Sequence, residues 1–224
     1  MSVRTPFRTI AVSVLSLFAG LLISAPASAD LCASTTSCSL NLTLGNSSSG
    51  FGSGNFGTVT LTLSGSTLTV DVNMASGWTI VNTGFPGSFG FSDSLAGLVT
   101  IGNFSSALYS GGSSHAASDQ HFDGFGYFTN AAATTGPHAP DGIQHVSFDV
   151  TGAGLNDVEQ LLNLADPTGG DGAAYFVVDA FNGSNTGLVG VTGGGGHDVP
   201  EPQTLTLLGL GLFGLAYMRR ARLV

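Results

Sequence analysis

The middle of this chain is written in period two. Leu40, Leu42 and Leu44 alternate with Asn41 and Thr43, and Val59, Leu61 and Leu63 alternate with Thr58, Thr60 and Thr62. Leu68, Val70 and Val72 alternate with Thr67, Thr69 and Asp71. Val146, Phe148 and Val150 alternate with Ser147, Asp149 and Thr151. Successive side chains of a strand point to opposite faces, so each run buries one face and wets the other, as in an antiparallel sheet. Ser64-Gly65-Ser66 joins two of the runs as a hairpin. Residues 173–181 are apolar on both faces and predict a central strand, and residues 124–129 predict another.

One short helix is expected, over residues 156–164. Asn156 caps it, Glu159 stands three residues on, and Val158, Leu161, Leu162 and Leu164 supply an apolar face. Asp166-Pro167 ends it. Gly/Ser-rich residues 46–57 and 110–118 read as loops, and residues 193–198 as a spacer. One helix among roughly seven to ten strands predicts a mainly β domain over residues 30–192. The expected architecture is an antiparallel two-sheet β-sandwich, jelly-roll-like.

Charge divides the chain sharply. All five basic residues, Arg4, Arg8, Arg219, Arg220 and Arg222, lie near the ends, while all fourteen carboxylates lie within residues 30–202. Nucleic acid and anionic lipid are poor partners for that middle, because their binding depends on Lys and Arg neutralising phosphate. Divalent cations, or neutral sugars met through hydroxyls and amides, are compatible with it.

The ends read as sorting signals. Arg4 and Arg8 precede an apolar core from Ile10 to Ile23, and Ala27-Ser28-Ala29 offers the small residues that signal peptidase needs. Residues 1–29 therefore predict a secretory signal cleaved between Ala29 and Asp30. At the other end, Pro200-Glu201-Pro202 precedes an apolar run from Thr204 to Met218 and the basic cluster Arg219 to Arg222. As a helix, about fifteen residues cover roughly 22 Å, short of the ~30 Å hydrocarbon core. Such a hydrophobic helix inserts transiently if the flanking arginines snorkel, with the basic end facing the cytoplasm.

Residues 199–224 resemble the PEP-CTERM sorting tail: the Pro200-Glu201-Pro202 motif, the apolar stretch and the basic end stand in that order. The resemblance implies recognition by an exosortase, a membrane transpeptidase-like enzyme that removes the tail. It also implies Gram-negative-type export, with passage through the inner membrane to the cell surface or extracellular matrix, and association with extracellular polysaccharide or biofilm. It implies nothing about the fold of the middle. A plain membrane anchor is the competing reading of the same tail.

Cys32 and Cys38, just past the predicted cleavage site, predict a disulfide in an oxidising exported setting. No catalytic motif is present. Gly52-Ser53-Gly54-Asn55-Phe56-Gly57 matches a dinucleotide fingerprint by letter but opens a β-alternation, where the chemistry needs a helix N-terminus. The chain has no G-x-S-x-G or H-E-x-x-H. A carboxylate-pair glycosidase would have to draw on the aspartates between Asp71 and Asp179. His115, Asp119, His121 and Asp123 have no spacing that fixes a metal geometry, and His138, His145 and His197 are scattered. Asp166 and Asp171 in a Gly-rich turn have the oxygen chemistry of a calcium loop, and equally of a polar turn. Trp78 is part of the aromatic stock, and Phe85, Phe89 and Phe91, in a Gly/Pro/Ser loop over residues 85–91, offer flat area for sugar rings if exposed and core filling if not. Asn41, Asn46, Asn103 and Asn182 begin N-x-[ST] triplets.

These observations predict an exported surface or matrix protein with a structural or adhesive role, no catalysis, no metal site and no cofactor. A carbohydrate-binding module for extracellular polysaccharide is the alternative, and an Asp-based hydrolase the weaker one. The expected partners are signal peptidase and exosortase.

Overall fold

The alternating runs hydrogen-bond to one another in the computed structural model, which describes residues 31–114, 120–166 and 170–192. The strands are β1 (Ser37–Gly45), β2 (Ser53–Ser64), β3 (Thr67–Met74), β4 (Thr79–Ile80), β5 (Phe89–Phe91), β6 (Thr100–Gly102) and β7 (Ser110–Ser114). They continue as β8 (Gln120–Phe122), β9 (Gly126–Phe128), β10 (Asn130–Thr135), β11 (His145–Thr151), β12 (Phe176–Phe181) and β13 (Thr186–Val191). β2 and β3 form the expected hairpin, in register from Ser64–Thr67 to Gly57–Met74. Its two-residue turn starts at Gly65, whose φ of 62° suits the first position of a tight hairpin turn.

The expected two-sheet sandwich is replaced by one large sheet. Eleven strands join antiparallel in the order β6-β11-β3-β2-β1-β13-β12-β5-β10-β7, with β4 added beside β12, and β8–β9 form a separate hairpin. The two edge strands come against each other. Val99 N–H donates to Ser114 Oγ at 3.0 Å, and a Cβ added to Gly112 of β7 would stand 2.6 Å from Ile101 Cβ of β6. The sheet is therefore nearly closed and barrel-like. Alternation cannot choose between the two shapes, because sandwich and barrel strands both bury one face. Irregularities bend the strands: the register shifts between Leu42 and Leu44 in β1, and between Ala132 and Thr135 in β10, where Ala133 has φ 54°.

Other local expectations change as well. Residues 53–57 belong to β2, and residues 110–114 form β7 rather than a loop. The expected helix is a single 3-10 turn, Val158–Leu161, capped by Asp157 rather than Asn156, with Gln160 rather than Glu159 completing the capping box. Its continuation is prevented because Asn163 pairs with Ser92 and Asp166 with Tyr127, returning the chain to extended form. Leu164, assigned to the apolar face, is exposed. Among the described residues, no helix is long and apolar enough to cross a membrane. The C-terminal apolar run lies outside them, as do the signal and the spacer.

The sheet encloses an aromatic core. Phe148 of β11 meets Phe89 and Phe91 of β5 at ring-centroid distances of 5.2 and 6.3 Å, and Phe91 stacks on Phe176 of β12 at 6.0 Å. β11 and β5 are far apart in strand order, so these contacts cross the interior. A second, smaller core lies on the opposite face of β12 and β13. There Phe122, Phe125 and Phe128, from the β8–β9 hairpin, cover Val177 and Leu188. This explains why residues 173–181 read as apolar on both faces: β12 is buried on both sides.

Candidate functional site

Two polar features stand apart from ordinary loop chemistry. The first is a buried carboxylate. Asp179 sits in the middle of β12 with no exposed surface. It accepts the backbone N–H of Thr83 at 2.6 Å and the Thr83 hydroxyl at 2.8 and 3.0 Å. Its own backbone holds the same segment, accepting Val81 N–H and donating to Ser88 O. Residues 81–88 thus form a strap fastened to β12 at three points. Burial pushes the Asp179 carboxyl up to about 7, against the two Thr83 hydrogen bonds that lower it. Tyr109, also buried, donates its hydroxyl to Ile80 O at 2.6 Å and is pushed up to about 12, chiefly by burial. Both groups serve the strap and its base, and the hydrogen bonds to Asp179 all come from its own chain. An aspartate inside a strand that is apolar on both faces was the signal for this group.

The second feature is the outer face of β1, β2, β3 and β11. Register places Ser39, Thr60, Asp71 and Ser147 side by side across the four strands. Asn41, Thr58, Asn73 and His145 form the next row, and Ser37, Thr62, Thr69 and Asp149 the row on the other side. All twelve are exposed or half-buried. Sheet geometry spaces such rows at ~4.8 Å across the strands and ~6.8 Å along them. The charged members are held by neighbours. Asp149 accepts Thr69 Oγ1 at 2.8 Å and Asn103 Nδ2 at 3.0 Å, and Asp71 Oδ2 lies 2.8 Å from His145 Nε2.

The other sequence candidates separate. Cys32 and Cys38 are joined by a disulfide that is buried in the main core. Cys32 N–H donates to Glu159 Oε1 at 2.8 Å, and Val158 N–H to Thr35 O at 2.9 Å, so the N-terminal loop is tied to the 3-10 turn. Phe89 and Phe91 fill the core, Phe85 stacks on Phe122 at 6.1 Å, and Trp78 packs between Phe51 and Phe56 at one end of the sheet. The 85–91 segment is therefore not an exposed aromatic loop. His121 packs on Tyr127 across the β8–β9 hairpin at 4.7 Å. Asp171 lies against Gly124, to whose carbonyl its N–H donates, while Asp166 is engaged through its backbone with Tyr127. Among the described residues, no three His, Cys, Asp or Glu side chains gather as a metal site. Asn46 is buried and bonds Leu188 N–H and Ser48 Oγ, and Asn182 Oδ1 accepts Ser184 and Asn185 N–H in a turn. The fingerprint-like residues 52–57 run into β2, with no helix after them. His115, Asp119, His197, Ala27, Ala29, Asp30, Pro200, Glu201 and Pro202 lie outside the described residues.

Comparison with known proteins decides the sorting tail. Residues 198–221 match the family model of the PEP-CTERM protein-sorting motif. The chain is a PEP-CTERM protein, an exosortase substrate. PEP-CTERM sorting implies secretion and a surface or extracellular destination. The match covers the tail of this PEP-CTERM protein and not its β domain, and no curated protein and no solved structure matches the chain.

Proposed function

We propose that this PEP-CTERM protein delivers a noncatalytic β domain to the cell surface or extracellular matrix, where it has a structural or adhesive role. Signal peptidase frees the chain at Asp30 after export, the C-terminal run inserts transiently in the membrane, and exosortase removes it near Pro200–Pro202. The observation that carries the reading is the sorting motif at residues 198–221. Among the described residues Asp179 is a fully buried carboxylate, and it accepts the N–H and hydroxyl of Thr83, a structural role in keeping with the reading.

Intact-mass analysis of protein recovered from outside the cell tests this. The expected mass is that of a chain beginning at Asp30 and ending within Pro200–Pro202, plus any attached group. A chain still ending at Val224 would replace exosortase processing with simple anchoring.

The carbohydrate-binding reading is favoured by the hydroxyl- and amide-rich rows on β1, β2, β3 and β11. Biofilm or matrix polysaccharide is the corresponding partner. The Asp-based hydrolase draws no support from Asp179.

A further inference from the structure

We propose that the outer face of β1, β2, β3 and β11 binds neutral polysaccharide chains, which lie along its rows of hydroxyls. The proposal deepens the carbohydrate-binding reading by naming the surface and the chemistry of its ligand.

The two sides of the sheet are treated differently. Over β12 and β13 the outer face is apolar, and the β8–β9 phenylalanines cover it. Over β1, β2, β3 and β11 the outer face is left open, and no apolar residue interrupts its three rows. Residues that cover nothing and repeat in two directions give a polymer equivalent contacts at each step. Thr and Ser hydroxyls donate and accept, and Asn amides do both, which matches a ligand whose groups also do both.

Charge selects the class. The chain has no Lys or Arg between Arg8 and Arg219 and fourteen carboxylates in that interval, so an anionic polymer is repelled. On the face itself Asp149 is hydrogen-bonded by Thr69 and Asn103 and Asp71 lies beside His145, and the rest of the three rows is made of hydroxyls and amides. A neutral polyhydroxylated chain meets it without charge to compensate. No aromatic platform lies in these rows, so binding rests on many weak hydrogen bonds and grows with polymer length.

Affinity electrophoresis of the exported, folded protein in native gels tests this, with dextran or hydroxyethylcellulose as neutral polymers and alginate as the anionic one. The wild-type protein is expected to be retarded by at least one neutral polymer and not by alginate. The triple variant Thr58→Val, Thr60→Val, Thr62→Val keeps strand-favouring shape while removing three hydroxyls of the rows. Its apparent Kd should rise about tenfold or more, with the melting temperature little changed. Trp78→Ala, at the end of the sheet, should leave retardation in place. No retardation by either neutral polymer overturns the proposal, as does wild-type retardation in the triple variant. Retardation lost only in Trp78→Ala would also overturn it, placing the site at the Phe51–Phe56–Trp78 cluster. Each of these outcomes leaves the processed mass of the exported chain unaffected, so failure here is distinct from failure of the sorting reading.

Discussion

The carboxylate of Asp179 takes both hydrogen-bond donors of Thr83, binding its N–H at 2.6 Å and its hydroxyl at 2.8 Å. A strap residue on one segment is thereby locked to a fully buried strand residue on another. The lock titrates. Burial raises the folded-state value of Asp179 to about 7 from the ordinary 3.8. Between those values the folded chain holds a proton that the unfolded chain has released. Stability from this group is therefore fully present below about 3.8, falls as pH rises from there to about 7, then levels. The melting temperature should be higher at pH 5 than at pH 8, and Asp179→Asn should flatten that difference. An Asn variant that keeps the whole wild-type slope would assign it to repulsion among the other carboxylates.

The N-terminal corner should respond to reductant. The Cys32–Cys38 bridge closes a short loop, with a sequence separation of 6. Chain-entropy arguments give such a loop about 2 kcal/mol. Reduction should lower the denaturation midpoint by a corresponding amount without unfolding the domain at room temperature. Glu159→Gln weakens a charge-assisted bond to Cys32 N–H and should cost about 1 kcal/mol. Chemical denaturation of both proteins, oxidised and reduced, measures the two effects.

Gly90 sets how closely the β8–β9 hairpin approaches the sheet. A Cβ there would stand 2.6 Å from Phe122 Cε2 and 2.8 Å from Val177 Cγ2. Gly90→Ala should push Phe122 outward, cost about 1–3 kcal/mol as overpacking does, and speed amide exchange in β8 and β9. Gly97, where an added Cβ meets nothing within 4 Å, is the control: Gly97→Ala should change neither quantity.

Protease treatment gives a second check on processing. With no Lys or Arg between Arg8 and Arg219, the doubly processed chain offers trypsin no site even when denatured. A chain that retains its tail should lose mass on cleavage after Arg219, Arg220 or Arg222. A mass drop in the exported protein would show that the tail is still attached.

Period two was readable because burial on one face is a local property of each strand. Thr67 to Val72 and Val146 to Thr151 show it without reference to any partner. Sheet closure was not readable. It depends on Ile101 meeting Gly112, on bulges near Leu42 and Ala133, and on which edge finds which. The helix expectation failed because Asn163 gains a pairing partner, Ser92, seventy-one positions away, which outweighs the helical spacing of Val158, Leu161 and Leu162. The aromatic residues of the 85–91 segment sit in a Gly/Pro/Ser context that suggests a loop, yet Phe89 and Phe91 lie on a strand in the core. The sorting motif was legible in full, since an enzyme reads it as linear sequence.

Sheets that end in free strands carry rows of unpaired N–H and C=O groups, to which another copy of the chain can add itself. In this domain β6 and β7 turn those rows toward each other. Among the described residues, a second copy of the chain therefore meets no free-standing end strand of that sheet to copy. Contact between neighbours is left to side chains, which can be made and broken one at a time.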